Sequence, residues 1–336
     1  MSRKNYNMVD LWKLIMSVIV VAIHVEPLHH IHNPYLQVLS HAIFALPVPF
    51  FFIVSGFLLA ERMKVGNGNV GYNSSIIKGS LFSYVKMYLI WSAVYLPIDI
   101  IHSIKEKMSL LDWLKRFFQG IFFIGEHYNS WVLWYLLSAI YALLILLLFI
   151  KHIGNKGLLF LFIIFVIISM FCDYASVHQL PGYFKYFNIF LSNTFVNGRI
   201  FRGLFYIPLG MLISNVKIKK GVQICLFVFG FLINLCFDNA LQTFGVIICS
   251  VGLFLLVLEI NLRNSMCFLA FRKMSTCIYF IHLYVWTIMY TILYGEKKFG
   301  MKIFLITVVV SIAISLVYAL LNIIFINRCS ERKHRI

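Results

Sequence analysis

Four polar side chains, Asp10, Lys13, Ser17 and His24, interrupt an otherwise apolar run, DLWKLIMSVIVVAIH. Asp10 and Lys13 are three residues apart and are neighbours on one helix face. Lys13 and His24 are eleven apart, about 20° past three full turns, so they share that face some 16 Å apart along the axis. A carboxylate, an ammonium and an imidazole on one stripe of a greasy helix are expensive in a bilayer. They face a bundle interior or a wet cavity, where such groups mark functional sites. The structural alternative is that Asp10 and Lys13 pair and snorkel while His24 sits in the headgroup layer. A second pair, Glu126 and His127, precedes SWVLWYLL; a carboxylate beside an imidazole at a span mouth suits acid–base work or the binding of a polar acceptor.

Other residues have candidate roles, each with a plain structural alternative. Arg199 and Arg202 in RIFRGLFYIPLGMLI share a face, and either hold an anionic acceptor or close the span. Lys86 in SYVKMYLIW is a cation facing an anionic ligand, or an interfacial snorkel. Ser55 and Gly56 interrupt the aromatic run PVPFFFIVSGFLLAER, where small residues let another backbone come close. His282 in MSTCIYFIHLYVW is a hydrogen-bonded structural group or a participant at the site. Five of the eleven histidines, His24, His29, His30, His32 and His41, fall in one loop. Their spacing matches no zinc pattern, and no bound metal or resident cofactor is expected.

The elements that position these residues are membrane helices. The chain has 336 residues, 61% of them hydrophobic and only 12% charged, with mean hydropathy +0.89. Apolar runs near 20 residues recur, and the ten-residue alternation of a barrel is absent, so an all-α polytopic membrane protein is expected. About ten spans are read, near 8–26, 38–60, 80–102, 131–150, 157–174, 199–216, 221–236, 240–259, 274–294 and 303–327. With both termini in the cytoplasm, 17 Lys and Arg fall in inside segments against 8 outside, the expected bias. The formal charge of +17 therefore reflects orientation, and no nucleic-acid partner is expected. His102–Ser130 is read as an outer segment with an amphipathic surface stretch, SLLDWLKRFFQGIFF. Asp173–Asn197 is read as an aromatic outer loop, and Val65–Ser75 as a flexible loop rich in Gly and Asn. Of seven cysteines, Cys172 and Cys236 lie near the same presumed side, which leaves a disulfide between them open.

Three segments together resemble the acyltransferase-3 family of integral membrane O-acyltransferases. Lys13, ten residues and His24 resemble the family's basic-residue–x10–His pattern. PFFFIVSGFLL, Pro49 to Leu59, resembles its FF-x-x-SGF-x-L signature, and SWVLWYLL, Ser130 to Leu137, is similar to its LWFL stretch. IPLGMLI (Ile207–Ile213) and CIYFIH (Cys277–His282) add weaker likenesses in the family's order. The resemblance implies one membrane domain over residues 1–336 in the bacterial plasma membrane. There an acyl-CoA co-substrate approaches from the cytoplasm and the acyl group passes to a hydroxyl of an outer cell-envelope acceptor. It implies His24 as the base, Lys13 as a stabiliser of donor charge and Asp10 as its orienter. Lys86, Ser55 and Gly56 would lie on the donor side; Glu126, His127, Arg199, Arg202 and His282 on the acceptor side. The family's Arg-x-x-Arg near the third span corresponds here to Ser83 and Lys86, which leaves one cation. The chain also resembles the membrane half of the membrane-bound serine racemases of vancomycin-resistance clusters. That half is thought to take up L-serine, so the second expectation is a module supplying L-serine to a separate racemase protein. No stretch has the composition of a soluble racemase domain.

Overall fold

The structure, a computed structural model, describes residues 5–152, 154–177, 182, 186, 198–237 and 239–333. Twelve α-helices run through the described residues, and no strand occurs among them. They are α1 (Asn7–Val25), α2 (Pro34–Phe44), α3 (Pro47–Met63), α4 (Val70–Lys105), α5 (Leu110–Gln119), α6 (Trp134–Leu148), α7 (Asn155–Val177), α8 (Arg199–Ile213), α9 (Lys220–Cys236), α10 (Asn239–Glu259), α11 (Met266–Tyr294) and α12 (Met301–Lys333). Among the described residues eight helical segments are long and apolar enough to cross a membrane, so this is a multi-pass membrane protein; α8 and α9, at 15 and 17 residues, are shorter.

Each expected span coincides with a helix, but several limits move. The second span is two helices, α2 and α3, meeting at Ala45–Leu46. Pro47 starts α3 because it lacks the N–H a continuing helix needs and disfavours helical backbone in the residue before it. Much of the expected histidine loop is therefore helix. Asn33 caps α2 by accepting from the backbone N–H of Tyr35 and Leu36, with Pro34 in the first turn. The Gly/Asn loop shrinks to a short turn, since Asn69 caps α4 by accepting from Tyr72 N at 2.9 Å. Asp173 and Tyr174 belong to α7 and not to a loop; Tyr183, Phe184 and Phe187 lie outside the described residues. The amphipathic stretch is α5 followed by a wide turn of helix, Gly120–Ile124, and Ser109 caps it by accepting from Asp112 N. The thiols of Cys172 and Cys236 are both free, so the disulfide is not formed.

The chain forms two compact units, Met1–Pro47 with Gly252–Ile336, and Val48–Val251. In the first, α1 lies along α11 and α12, and α11 along α12. Its interior is Met16, Val20, Val21 and Val25 of α1 with Ile278, Leu283 and Trp286 of α11. In the second, α6 packs on α4 and α8, and α8 on α7. Phe50, Phe52, Leu133, Leu136, Phe205 and Ile207 fill its interior.

Two glycines set the approach of α3 and α8. A Cβ on Gly56 would stand 2.0 Å from the Ile207 carbonyl oxygen, and one on Gly210 2.2 Å from that of Ile53. The small residue read in PFFFIVSGF thus lets two backbones touch.

Candidate functional site

The first unit carries the polar stripe of α1. Asp10 is buried, and its carboxylate is taken by Arg272 of α11: Nε donates at 3.0 and 3.1 Å and Nη2 at 2.7 Å. The expected Asp10–Lys13 pairing gives way to this fork, because a guanidinium fits a carboxylate with parallel donors where an ammonium offers a point charge. Lys13 is half-buried and remains in the electrostatic field of both Asp10 and Arg272. Ser17 is buried and donates to the Leu14 carbonyl at 2.7 Å, a helix-internal bond. One turn before Asp10, Asn7 donates to Leu262 O at 3.0 Å and to Asn264 Oδ1 at 2.9 Å.

At the other end of α1, the His24 ring stacks on His282 of α11, with centroids 5.4 Å apart and planes 28° apart. Asn7 meets 262–264, Asp10 meets 272 and His24 meets 282, so α1 and α11 run parallel. From Asp10 to His24 is about 21 Å of rise, and from Arg272 to His282 about 15 Å. The long arginine side chain reaches across the difference. His282 is wholly buried; its Nδ1 lies 3.0 Å from the Ile278 carbonyl oxygen, and its Nε2 has no hydrogen-bond partner among the described residues.

The connection after α11 folds over this end. Trp286 Nε1 donates to Lys298 O at 2.9 Å, and Gly300 N donates to Val25 O at 3.2 Å. Phe299 stacks on His29 at 5.0 Å, and Lys297 Nζ lies 5.1 Å from the Trp286 ring centre. Burial lowers the Lys297 ammonium, against the pull of Glu26. Gly300 holds φ +108 with His30 beside it, a conformation open to glycine.

The second unit holds the other candidates, and it separates residues that are adjacent in sequence. Glu126 forms an ion pair with Arg199 at 2.5 Å, and the guanidinium lies 5.9 Å from the Trp134 ring centre. Burial pushes the Glu126 carboxyl up, and Arg199 pulls it back down. His127 turns instead toward Asp99, with its Nδ1 4.0 Å from the carboxylate. Burial lowers the His127 imidazole, opposed by Asp99 and the Ser92 backbone. Glu126 and His127 are therefore not one acid–base pair. Arg202 sits in the field of Asp173, so each of the two arginines has an acidic neighbour.

Ser55 lies in a hydroxyl cluster. It donates to Phe51 O at 2.8 Å, and Tyr84 OH at 2.9 Å and Tyr135 OH at 3.1 Å lie against its oxygen. One hydrogen and two lone pairs are all a serine hydroxyl offers, so Ser55 is satisfied. Lys86 is exposed on α4, and Ser83 beside it donates to Gly79 O.

Arg272 and Asp99 escaped the reading of the sequence. Arg272 looks like a loop charge until α11 is seen to begin at Met266, eight residues before the expected span. Asp99 is a wholly buried carboxylate in YLPIDIIHS, and an ionisable group within an apolar run was its available signal. It accepts from Arg116 Nη2 at 2.7 Å, Trp113 Nε1 at 3.0 Å and Tyr128 N at 3.2 Å, which moors α5 to α4. Among the described residues no group of three or more His, Cys, Asp or Glu could hold a metal ion.

Comparison with known proteins identifies the frame that carries these groups. An amino-acid racemase of Enterococcus faecalis is 33% identical over 137 residues, 40% of this chain and 18% of that protein. A second from the same organism is 26% identical over 216 residues, 63% of this chain and 28% of that protein. A serine/alanine racemase of Enterococcus gallinarum is 30% identical over 96 residues, 27% of this chain and 13% of that protein. The chain thus spans less than a third of the length of the curated relatives it matches. No solved structure matches it significantly. The acyltransferase-domain profile of the acyltransferase-3 family matches residues 6–321, across both compact units, and the chain belongs to that family of membrane proteins.

Proposed function

We propose that the chain is an integral membrane O-acyltransferase of the bacterial plasma membrane, with both termini in the cytoplasm. Acyl-CoA serves as donor from the cytoplasmic side, and a hydroxyl of an extracytoplasmic envelope component accepts the acyl group. The observation that carries this reading is the stacked imidazole pair His24–His282 on parallel helices, with Lys13 about 16 Å away along α1. In the reaction a base in the imidazole pair takes the acceptor's hydroxyl proton. The oxygen bonds to the thioester carbonyl carbon, the carbon–sulfur bond breaks, and the thiolate leaves and takes the proton. Lys13 supports the donor's negative charge, while Asp10, clamped by Arg272, fixes α1 against α11 instead of orienting Lys13 directly. Gly56 serves the donor side indirectly, by setting the α3–α8 approach, Ser55 by holding the Tyr84 and Tyr135 hydroxyls, and Lys86 supplies an exposed cation. Glu126, His127, Arg199 and Arg202 are assigned to the acceptor side.

The names of the matched relatives favour a second reading, a module that supplies L-serine to a separate racemase protein. Inside-out vesicles given labelled acetyl-CoA separate the two. Transfer of label to lumenal envelope material, lost in His24→Ala, is the expected result. Absence of transfer, with chain-dependent uptake of labelled L-serine by intact cells, would overturn the acyltransferase reading and establish the other.

A further inference from the structure

We infer that the phosphates of the acyl-CoA donor dock on one basic end of the second unit, where the α3–α4, α6–α7 and α8–α9 connections meet, and that Arg62 leads from there along α4. The inference rests on the acyl-transfer reading and gives its donor an entry site. The three connections are stitched side by side. Lys64 Nζ donates to Ser214 O, which joins the first to the third. Asn215 Nδ2 donates to Asn155 Oδ1 at 3.1 Å, which joins the third to the second, and the turn Ile150–His152 packs on α4. Residues 61–69, 149–156 and 214–220 hold seven Lys or Arg and one acid, Glu61, which is engaged with Lys64. Lys151, Lys156 and Lys217 are exposed and have no further acid within these connections. The stretch at the opposite end of α4, residues 105–133, holds four Lys or Arg against three acids.

Orientation in a bilayer asks only that cations lie beside the spans on one side. It does not ask for three cationic connections to be pinned together through bonds to neutral groups, which holds like charges close against their repulsion. A multivalent anion offsets that repulsion, and the 3′-phosphate and diphosphate of CoA supply one. On the orientation proposed above this end faces the cytoplasm, from which the donor arrives. Arg62, in the last turn of α3, sets the direction inward. Its Nη2 donates to the hydroxyl of buried Ser80 at 2.8 Å, so the guanidinium lies along α4. Ser80 stands between Lys78 and Lys86, about 3 Å along the axis from the first and 9 Å from the second. The cations thus continue from the docking face toward the lysine assigned to the donor side.

The test measures binding of labelled CoA to the full chain in phosphatidylcholine nanodiscs, and the KM and kcat for acetyl-CoA in inside-out vesicles. One variant combines Lys151→Gln, Lys156→Gln and Lys217→Gln; the control combines Lys105→Gln, Lys107→Gln and Lys115→Gln, which removes the same charge from the opposite end. The first is expected to weaken CoA binding about tenfold at low salt and less at high salt, and to raise KM by the same factor with kcat unchanged. The control is expected to stay within twofold of wild type. Arg62→Gln is expected to raise KM likewise, and Arg62→Lys, which keeps the charge, much less. A first variant that matches the control, or a folded Arg62→Gln at wild-type KM, overturns the inference and leaves the acyltransferase reading standing. So does a first variant that loses only capture of phosphatidylglycerol, since the face then belongs to the lipid leaflet. A wild type that binds CoA in this pattern but transfers no label upholds the site and overturns the transfer reading; one that binds no CoA overturns both.

Discussion

Gly56→Ala puts the contact between α3 and α8 to a quantitative test. The added Cβ would stand 2.0 Å from the Ile207 carbonyl oxygen and 2.9 Å from its carbon, whereas ordinary contact begins at 3.4 Å. The two helices must withdraw by about 1.4 Å at this point. The obstructing atoms are backbone in the middle of α8, so no rotamer change relieves the clash. Overpacking of this kind costs roughly 1–3 kcal/mol, and a rigid obstacle places the site at the upper end. Alanine returns about 1 kcal/mol through helix propensity. The net expectation is a loss of about 2 kcal/mol. Gly79 supplies the control: it is exposed on α4, a Cβ there meets nothing within 4 Å, and Gly79→Ala gains up to about 1 kcal/mol. Gly210→Ala meets Ile53 O at 2.2 Å in the same crossing, so the Gly56/Gly210 double variant loses less than the sum of the singles. Reversible unfolding in mixed detergent micelles measures all four variants. A Gly56→Ala protein within about 0.5 kcal/mol of wild type, with Gly79→Ala behaving as the control, would refute the reasoning.

Arg272→Gln leaves the buried Asp10 carboxylate without its clamp and is expected to cost about 2 kcal/mol, discounted because the arginine side chain is 43% exposed. Asp10→Asn in the same protein returns part of that loss, and strictly additive single variants in a double-mutant cycle would refute the pairing. Melting temperature against pH separates Glu126 from His127. The Glu126 carboxyl is raised by burial despite Arg199. Its stability contribution is therefore full below the ordinary value of 4.5 and is lost as pH rises through the raised value, a slope Glu126→Gln removes. The His127 imidazole is lowered by burial despite Asp99, so its contribution is present above 6.5 and is lost as pH falls through the lowered value. His127→Gln removes that opposite slope; corrections of the same sign from the two variants would refute the assignment.

The helices and the α1 stripe were legible in the sequence because both are local. Apolar runs announce spans, and eleven residues bring Lys13 and His24 onto one face whatever surrounds them. The glycine at 56 was legible as a close crossing for the same reason. The partners were not: Asp10 meets Arg272 across 262 positions, and no spacing rule connects His24 with His282. Glu126 and His127 misled because adjacency in sequence suggests a pair. At the wide turn that precedes them the backbone sends one side chain to Arg199 and the other to Asp99. The two prolines near 47 did announce the break between α2 and α3, but the hydrophobicity running through it hid the signal.

The mooring of Asp99 has a consequence for how the chain enters the bilayer. An unpaired carboxylate inside a span is costly to insert. The groups that satisfy Asp99, from Trp113, Arg116 and Tyr128, all follow it within 29 residues. At a synthesis rate of about 5–20 residues per second they leave the ribosome within roughly six seconds of it. The carboxylate need not wait for a distant helix. α4 and α5 can close their polar knot as one hairpin before α6 is made, and the later helices then assemble against a corner whose charge is already settled.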